Sequence, residues 1–171
     1  STDDLALVED EISREVILEQ EKAGLDLVTD GMIRWDDGQT YLARKIKGFD
    51  ITGLIRYFDT NTYYRQPEAT QRCEWTGPMM VEDYQFATNC TSLPVKSILT
   101  GPYTLAKLSR TKYHDDLENF ALELADVLHE EALYLQNFGV QYLQIDEPAI
   151  REGLPLDKAQ WQHYLHHAVN A

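Results

Sequence analysis

VQYLQIDEPAIREGLP, Val140–Pro155, is the stretch that decides the fold. An apolar strand runs into Asp146 and Glu147, and Pro148 stops it. A second charged pair, Arg151 and Glu152, follows at once, and then Gly153. Proline cannot donate to a β-ladder, so the strand must end there. Two carboxylates therefore stand where a buried strand meets solvent.

Two more stretches end in the same way. LDLVTDG reads as a short buried strand over 25–30, closed by Asp30 and Gly31. PVKSILTGP reads as a strand over 95–99, closed by Thr100, Gly101 and Pro102. With the strand over 140–145, each precedes a helix or a loop leading to one. Their apolar cores predict strands buried on both faces, as in a parallel sheet. The polar and turn residues gather at the C-terminal ends, where α/β folds of either type hold their ligands.

Helices fill the intervals. Leu5, Val8, Ile12, Val16 and Ile17 form one stripe over 5–23, and Gly24 is a natural stop. A helix is expected from Tyr103. Asp115 and Asp116 cap a long helix that carries Leu117, Phe120, Leu124, Leu128 and Leu135 and ends near Gly139. A last helix carries Trp161, Tyr164, Leu165 and Ala168. Residues 40–90 differ. They are rich in β-branched and aromatic residues broken by Gly, Pro and Asn, which predicts β-hairpins or an irregular excursion serving a site.

Composition bounds the function. The 171 residues suffice for one domain with a real core. The net charge of −14 repels nucleic acid and anionic membranes, so neither is an expected partner. No apolar run reaches the length of a membrane span, and the opening STDDL is no signal peptide. Two cysteines make no disulfide framework, which favours a reducing, cytoplasmic setting. Cys73 and Cys90 lie far apart without a neighbouring His, and His163 and His167 share a helix face without a Glu or Cys in a zinc pattern. No metal site is expected within this chain.

The strand-end carboxylates admit several readings. An Asp or Glu at such a place often caps a helix or pairs with an Arg. Acid–base work, or capture of a cationic ligand group, is the functional alternative. A retaining glycosidase needs a second carboxylate about 5 Å away, and Asp30 is the sole strand-end candidate elsewhere.

Three motifs in order add a family. LQIDEPAIREGLPL (Leu143–Leu156), LTGPYTLAKLS (Leu99–Ser109) and EQEKAGLDLVTDG (Glu19–Gly31) resemble the C-terminal catalytic domain of cobalamin-independent methionine synthase, and the likeness covers essentially the whole chain. The stretch GLIRYFDTNTYYRQP (Gly53–Pro67) is closer to the short core type of that family. The resemblance implies an α/β chain that is part of one (β/α)8 catalytic domain of the methionine synthase and uroporphyrinogen decarboxylase type, roughly strands two to four. It implies a zinc-dependent methyl transfer to the thiol of homocysteine, with methyltetrahydrofolate or methylcobalamin as donor.

Residue by residue, Asp146 matches the family's aspartate for the amino-acid substrate. Glu152 matches a glutamate on the methyl-donor side, and Arg72 and Cys73 match an Arg-Cys pair there. Three departures follow. Met32 stands where the family has a homocysteine-binding glutamate. Leu108 stands where it has a pterin-stacking tryptophan, which opens the way to a corrinoid or corrinoid protein as donor. The zinc ligands lie beyond the fourth strand, so the mapping predicts a fragment, inactive alone, completed by the missing barrel half from the same longer chain or a second chain. A corrinoid-dependent methyltransferase or decarboxylase of the same fold, and a non-catalytic half barrel, are the alternative readings.

Overall fold

A computed structural model describes residues 2–152, 160–163 and 166 of the protein. Helix α1 spans Thr2–Lys22. The expected strand over 25–30 shrinks to a single parallel bridge, Val28 to Val95. Val28 is the residue that faces β3: its N–H donates to the Pro94 carbonyl at 3.1 Å, and its carbonyl accepts from the Lys96 N–H at 2.8 Å. The Gln20 amide donates to the Thr29 carbonyl at 3.0 Å and accepts from the Thr29 N–H at 2.9 Å. Gln20 thus covers the edge of this segment that faces away from β3.

The 40–90 excursion is only partly β. It opens with a short helix α2, Thr40–Ala43, followed by strands β1, Lys47–Arg56, and β2, Tyr63–Glu74. These pair antiparallel as a long hairpin, with register shifts between Lys47 and Phe49 and between Ile51 and Leu54. Helix α3, Val81–Cys90, then closes the excursion. Its hydrophobic residues lack a clear periodic stripe, so the sequence pattern gave no sign of it.

Strand β3, Lys96–Thr100, leads into helix α4, Pro102–Leu108, with Pro102 in its first turn. A two-residue strand β4, Arg110–Thr111, adds parallel to β2. Helix α5 spans Leu117–Phe138. Of the two candidate caps, Asp116 is the one used, accepting from the Asn119 N–H at 2.8 Å. Gly139 ends the helix at φ 109, a left-handed position that suits glycine. Strand β5, Tyr142–Asp146, and the short α6, Ala149–Glu152, complete the described elements.

β3 and β5 pair in parallel, Lys96 opposite Tyr142 and Thr100 opposite Asp146, with Val28 on the other side of β3. Three successive parallel segments with helices between them are the repeating unit of a (β/α)8 barrel. The main core lies on the helix side. Leu42, Leu99, Leu105, Phe120, Leu124 and Leu135 are fully buried there. Each such side chain contributes about 1.5–3 kcal/mol by leaving water. The core fixes the sheet, and the sheet aims its C-terminal ends at one place.

Candidate active site

Asp146 and Glu147 are adjacent yet do different work. Glu147 turns toward α4. Its Oε1 accepts from the Tyr103 N–H at 2.9 Å, and its Oε2 accepts from the Thr104 N–H at 2.7 Å and the Thr104 hydroxyl. It is a helix cap supplied from another strand, at the positive end of the α4 dipole. Burial pushes its pKa up, against these hydrogen bonds. Gly101 makes room for it, since a Cβ there would lie 2.2 Å from Glu147 Oε1. The bland reading of a strand-end carboxylate is thus right for Glu147.

Asp146 faces a pocket of about 280 Å3 at the C-terminal ends of the strands. Thr100, Gly38, Asp37 and Gln39 form its polar side, and Met32, Trp35, Tyr57, Tyr64 and Pro148 its apolar side. Tyr57 and Thr62 reach it from the tip of the hairpin, so the excursion forms part of the pocket wall. Asp37 is fully engaged. It accepts from the N–H groups of Gln39 and Thr40 through Oδ1 and from the Thr40 hydroxyl through Oδ2. Asp146 Oδ1 accepts from the Gln144 amide at 2.6 Å. Among the described residues, its Oδ2 has no hydrogen-bond partner.

Met32 lines the pocket and takes φ 54, directly after Gly31 at φ 79. A left-handed methionine is strained backbone, and such outliers gather at sites. Trp35 stacks on Tyr41 with ring centroids 5.2 Å apart. Tyr41 donates its hydroxyl to Asp83 at 2.6 Å, and the Lys45 ammonium lies 4.1 Å over its ring. The pocket wall is therefore backed by a rigid stack.

The other candidates fall elsewhere. Asp30 is buried beside Asp83 and Arg34, outside the pocket. Burial first, and the Asp83 charge second, raise its pKa. Arg72 and Cys73 line a separate cleft with Glu74, Glu123, Asp126 and Glu130. Burial and the Glu123 charge push the Cys73 thiol up to about 12, so it is no nucleophile at neutral pH. Leu108 is buried, and its carbonyl accepts the Tyr64 hydroxyl at 2.6 Å. The Glu152 side chain and His167 lie outside the described residues. Asp37 carried a sequence signal, standing three residues before Thr40 as a cap does. Trp35 and Tyr57 carried none.

Among the described residues, no three His, Cys, Asp or Glu side chains are grouped to hold a metal ion. The residues present do not fit a zinc site. No helix among them is long and apolar enough to cross a membrane.

Comparison with known proteins agrees with this arrangement. Residues 3–171 match the family model described as cobalamin-independent synthase, catalytic domain. A methionine synthase of Sulfurisphaera tokodaii is 35% identical over 151 residues, covering 88% of this chain and 44% of that protein. A probable 5-methyltetrahydropteroyltriglutamate–homocysteine methyltransferase of Schizosaccharomyces pombe is 35% identical over 170 residues, covering 97% of this chain and 22% of that protein. Among solved structures, a B12-independent methionine synthase of Shewanella superposes with a TM-score of 0.80 at 24% identity, over 99% of this chain and 50% of that one. The chain thus spans half or less of the length of these relatives, and its fold is part of theirs. Methylcobalamin as donor and a corrinoid partner, both raised by Leu108, find no support, because the matched family is cobalamin-independent. By sequence and by fold, the chain belongs to the cobalamin-independent methionine synthase family, within its catalytic domain.

Proposed function

We propose that this chain forms the amino-acid-binding part of a methyltransferase that places a methyl group on the thiol of homocysteine, making methionine. The observation that carries this is Asp146. It stands at the end of β5, faces the pocket, and keeps Oδ2 open while every oxygen of the neighbouring Asp37 is engaged. A substrate ammonium donates to that oxygen and is fixed by charge as well as by direction. No Lys or Arg lines the pocket among the described residues, so nothing there competes for the carboxylate.

The apolar wall does the second part. Met32, Trp35 and Tyr57 surround the substrate's methylene chain and keep water from the sulfur. In the transfer, the thiol gives up its proton, sulfur attacks the methyl carbon, and the carbon–nitrogen bond of the donor breaks. The electron pair and a proton end on the donor nitrogen. The proposed donor is a reduced, methyl-bearing pteroylglutamate, a reading supported by relatives named 5-methyltetrahydropteroyltriglutamate–homocysteine methyltransferase. Arg72 and Cys73 stand apart from the pocket, so their proposed donor contact needs a donor long enough to reach the second cleft. Glu152 is proposed for the same side. Zinc, which the family resemblance implies, would be held by residues other than the described ones, and no step on these residues runs through it.

The test is Asp146→Asn in the intact protein. A lost charge-assisted hydrogen bond costs about 1.5–3 kcal/mol. The KM for homocysteine should rise roughly ten-fold or more, with the donor's KM little changed. An unchanged KM for homocysteine would remove Asp146 from the site.

A further inference from the structure

The β3–β5 pair carries a polar column that no motif announced. In the parallel register, Lys96 lies opposite Tyr142, Ile98 opposite Gln144 and Thr100 opposite Asp146. Alternate residues of a strand share a face. Lys96, Gln144 and Asp146 therefore stand on the face that carries Thr100 into the pocket. Lys96 is at the bottom of that face and Asp146 at the rim.

They are joined by hydrogen bonds. The Lys96 ammonium donates to Gln144 Oε1 at 2.5 Å, and Gln144 Nε2 donates to Asp146 Oδ1 at 2.6 Å. Chemistry leaves the amide one orientation. An ammonium only donates and a carboxylate only accepts. Turning the amide over would set N–H against N–H at one end and oxygen against oxygen at the other. The lysine thus selects the orientation of the glutamine, and the glutamine selects which oxygen of Asp146 is engaged. Oδ1 is held and Oδ2 is left to the pocket.

We propose that Lys96 and Gln144 are positioning residues that orient Asp146 for the acceptor's ammonium group, Lys96 acting only through Gln144. This rests on the function proposed above. It accounts for a lysine on the pocket face of a sheet, where a charged side chain without a partner is costly. It also accounts for a pocket with two carboxylates and no lining cation. The positive charge sits one layer below, where it supports the carboxylate without competing for the substrate.

The experiment uses the intact protein and three variants. Gln144→Glu keeps the size and pairs with Lys96, but has no N–H to give Asp146. Gln144→Leu removes both bonds. Lys96→Met keeps the length of the side chain and releases the amide. Homocysteine binding is measured by calorimetry, and KM and kcat for methyl transfer are measured separately. The expected result is a five- to fifty-fold weaker binding of homocysteine and a matching rise in KM in Gln144→Glu and Gln144→Leu. Lys96→Met should show a smaller loss in the same direction, and kcat should change less than three-fold in all three.

Gln144→Glu carries the decision. A residue that only fills space tolerates that change, whereas a donor does not. Wild-type affinity in Gln144→Glu, or a loss confined to kcat, overturns the proposal and leaves the function standing. Failure of the wild-type protein to bind homocysteine overturns the function, and this proposal with it. Circular dichroism melts of each variant separate loss of fold from loss of binding.

Discussion

Asp30 and Asp146 are both strand-end aspartates, yet their surroundings set them to opposite tasks. Asp30 is buried, its Oδ2 has no hydrogen-bond partner among the described residues, and Asp83 stands nearby. Its folded-state pKa is raised, so ionising it costs the folded protein more than the unfolded chain. The stability it permits is full below the ordinary carboxylate range and declines as pH rises through it. Asp30→Asn should therefore raise the melting temperature at pH 7 and give no gain near pH 3. Equal gains at both values would show that packing, not charge, sets the cost. The strand-end pattern located both residues but could not tell them apart. The neighbouring like charge, Asp83, comes from α3, which is remote in sequence.

Among the elements, α5 holds more than its own place. Its buried stripe includes a carboxylate, Glu131, with no exposure to solvent. Glu131 accepts from the Trp75 indole N–H at 2.8 Å and from the N–H groups of Met79 and Met80 near 2.9 Å. It thus satisfies the entry to α3 from the middle of another helix. Glu131→Ala would leave two buried backbone donors and the half-buried Trp75 indole N–H unpaired. At about 1–3 kcal/mol for each such group, the loss is roughly 3 kcal/mol or more. That is a large share of an ordinary domain's stability. Chemical denaturation should show it as a lower midpoint, and Glu131→Gln, which keeps one acceptor, should fall between. The long helices, β3 and β5 were legible because period, caps and proline stops agreed. α3 was not, because its entry is satisfied by one distant side chain, Glu131, and the shortening of the strand near Val28 carried no sequence signal. Asp146, the residue proposed to hold the ammonium group, was picked out by a long motif. The Trp35–Tyr41–Lys45 stack and the Lys96–Gln144 pair were not, since they exist only once the chain is folded.

At the scale of the molecule, α1 and β5 are incompletely covered. Leu5 and Leu7 are 57% and 67% exposed on α1, and Ile145 is 48% exposed on β5. Apolar faces of this kind mark contact surfaces. The relatives are longer by at least as much chain again. The 171 residues alone should self-associate as concentration rises and bind a hydrophobic dye. Light scattering after size exclusion checks the first. A monodisperse monomer that leaves the dye dark would mean these faces need no cover. Methionine formation by the isolated chain should be undetectable.

The β1–β2 hairpin has one more implication. It is rooted where Lys47 pairs Glu74, and its far end carries Tyr57 and Thr62 into the pocket. It works as a ruler. Each residue of strand spans about 3.3 Å, so shortening both arms by two residues would draw Tyr57 back by roughly 7 Å. Removing a single residue from one arm would instead turn its side chains to the opposite face. The width of the cavity is thus written in arm length, apart from the barrel residues that carry the charge. Lineages could retune which substrates fit by changing the ruler and leaving the barrel alone.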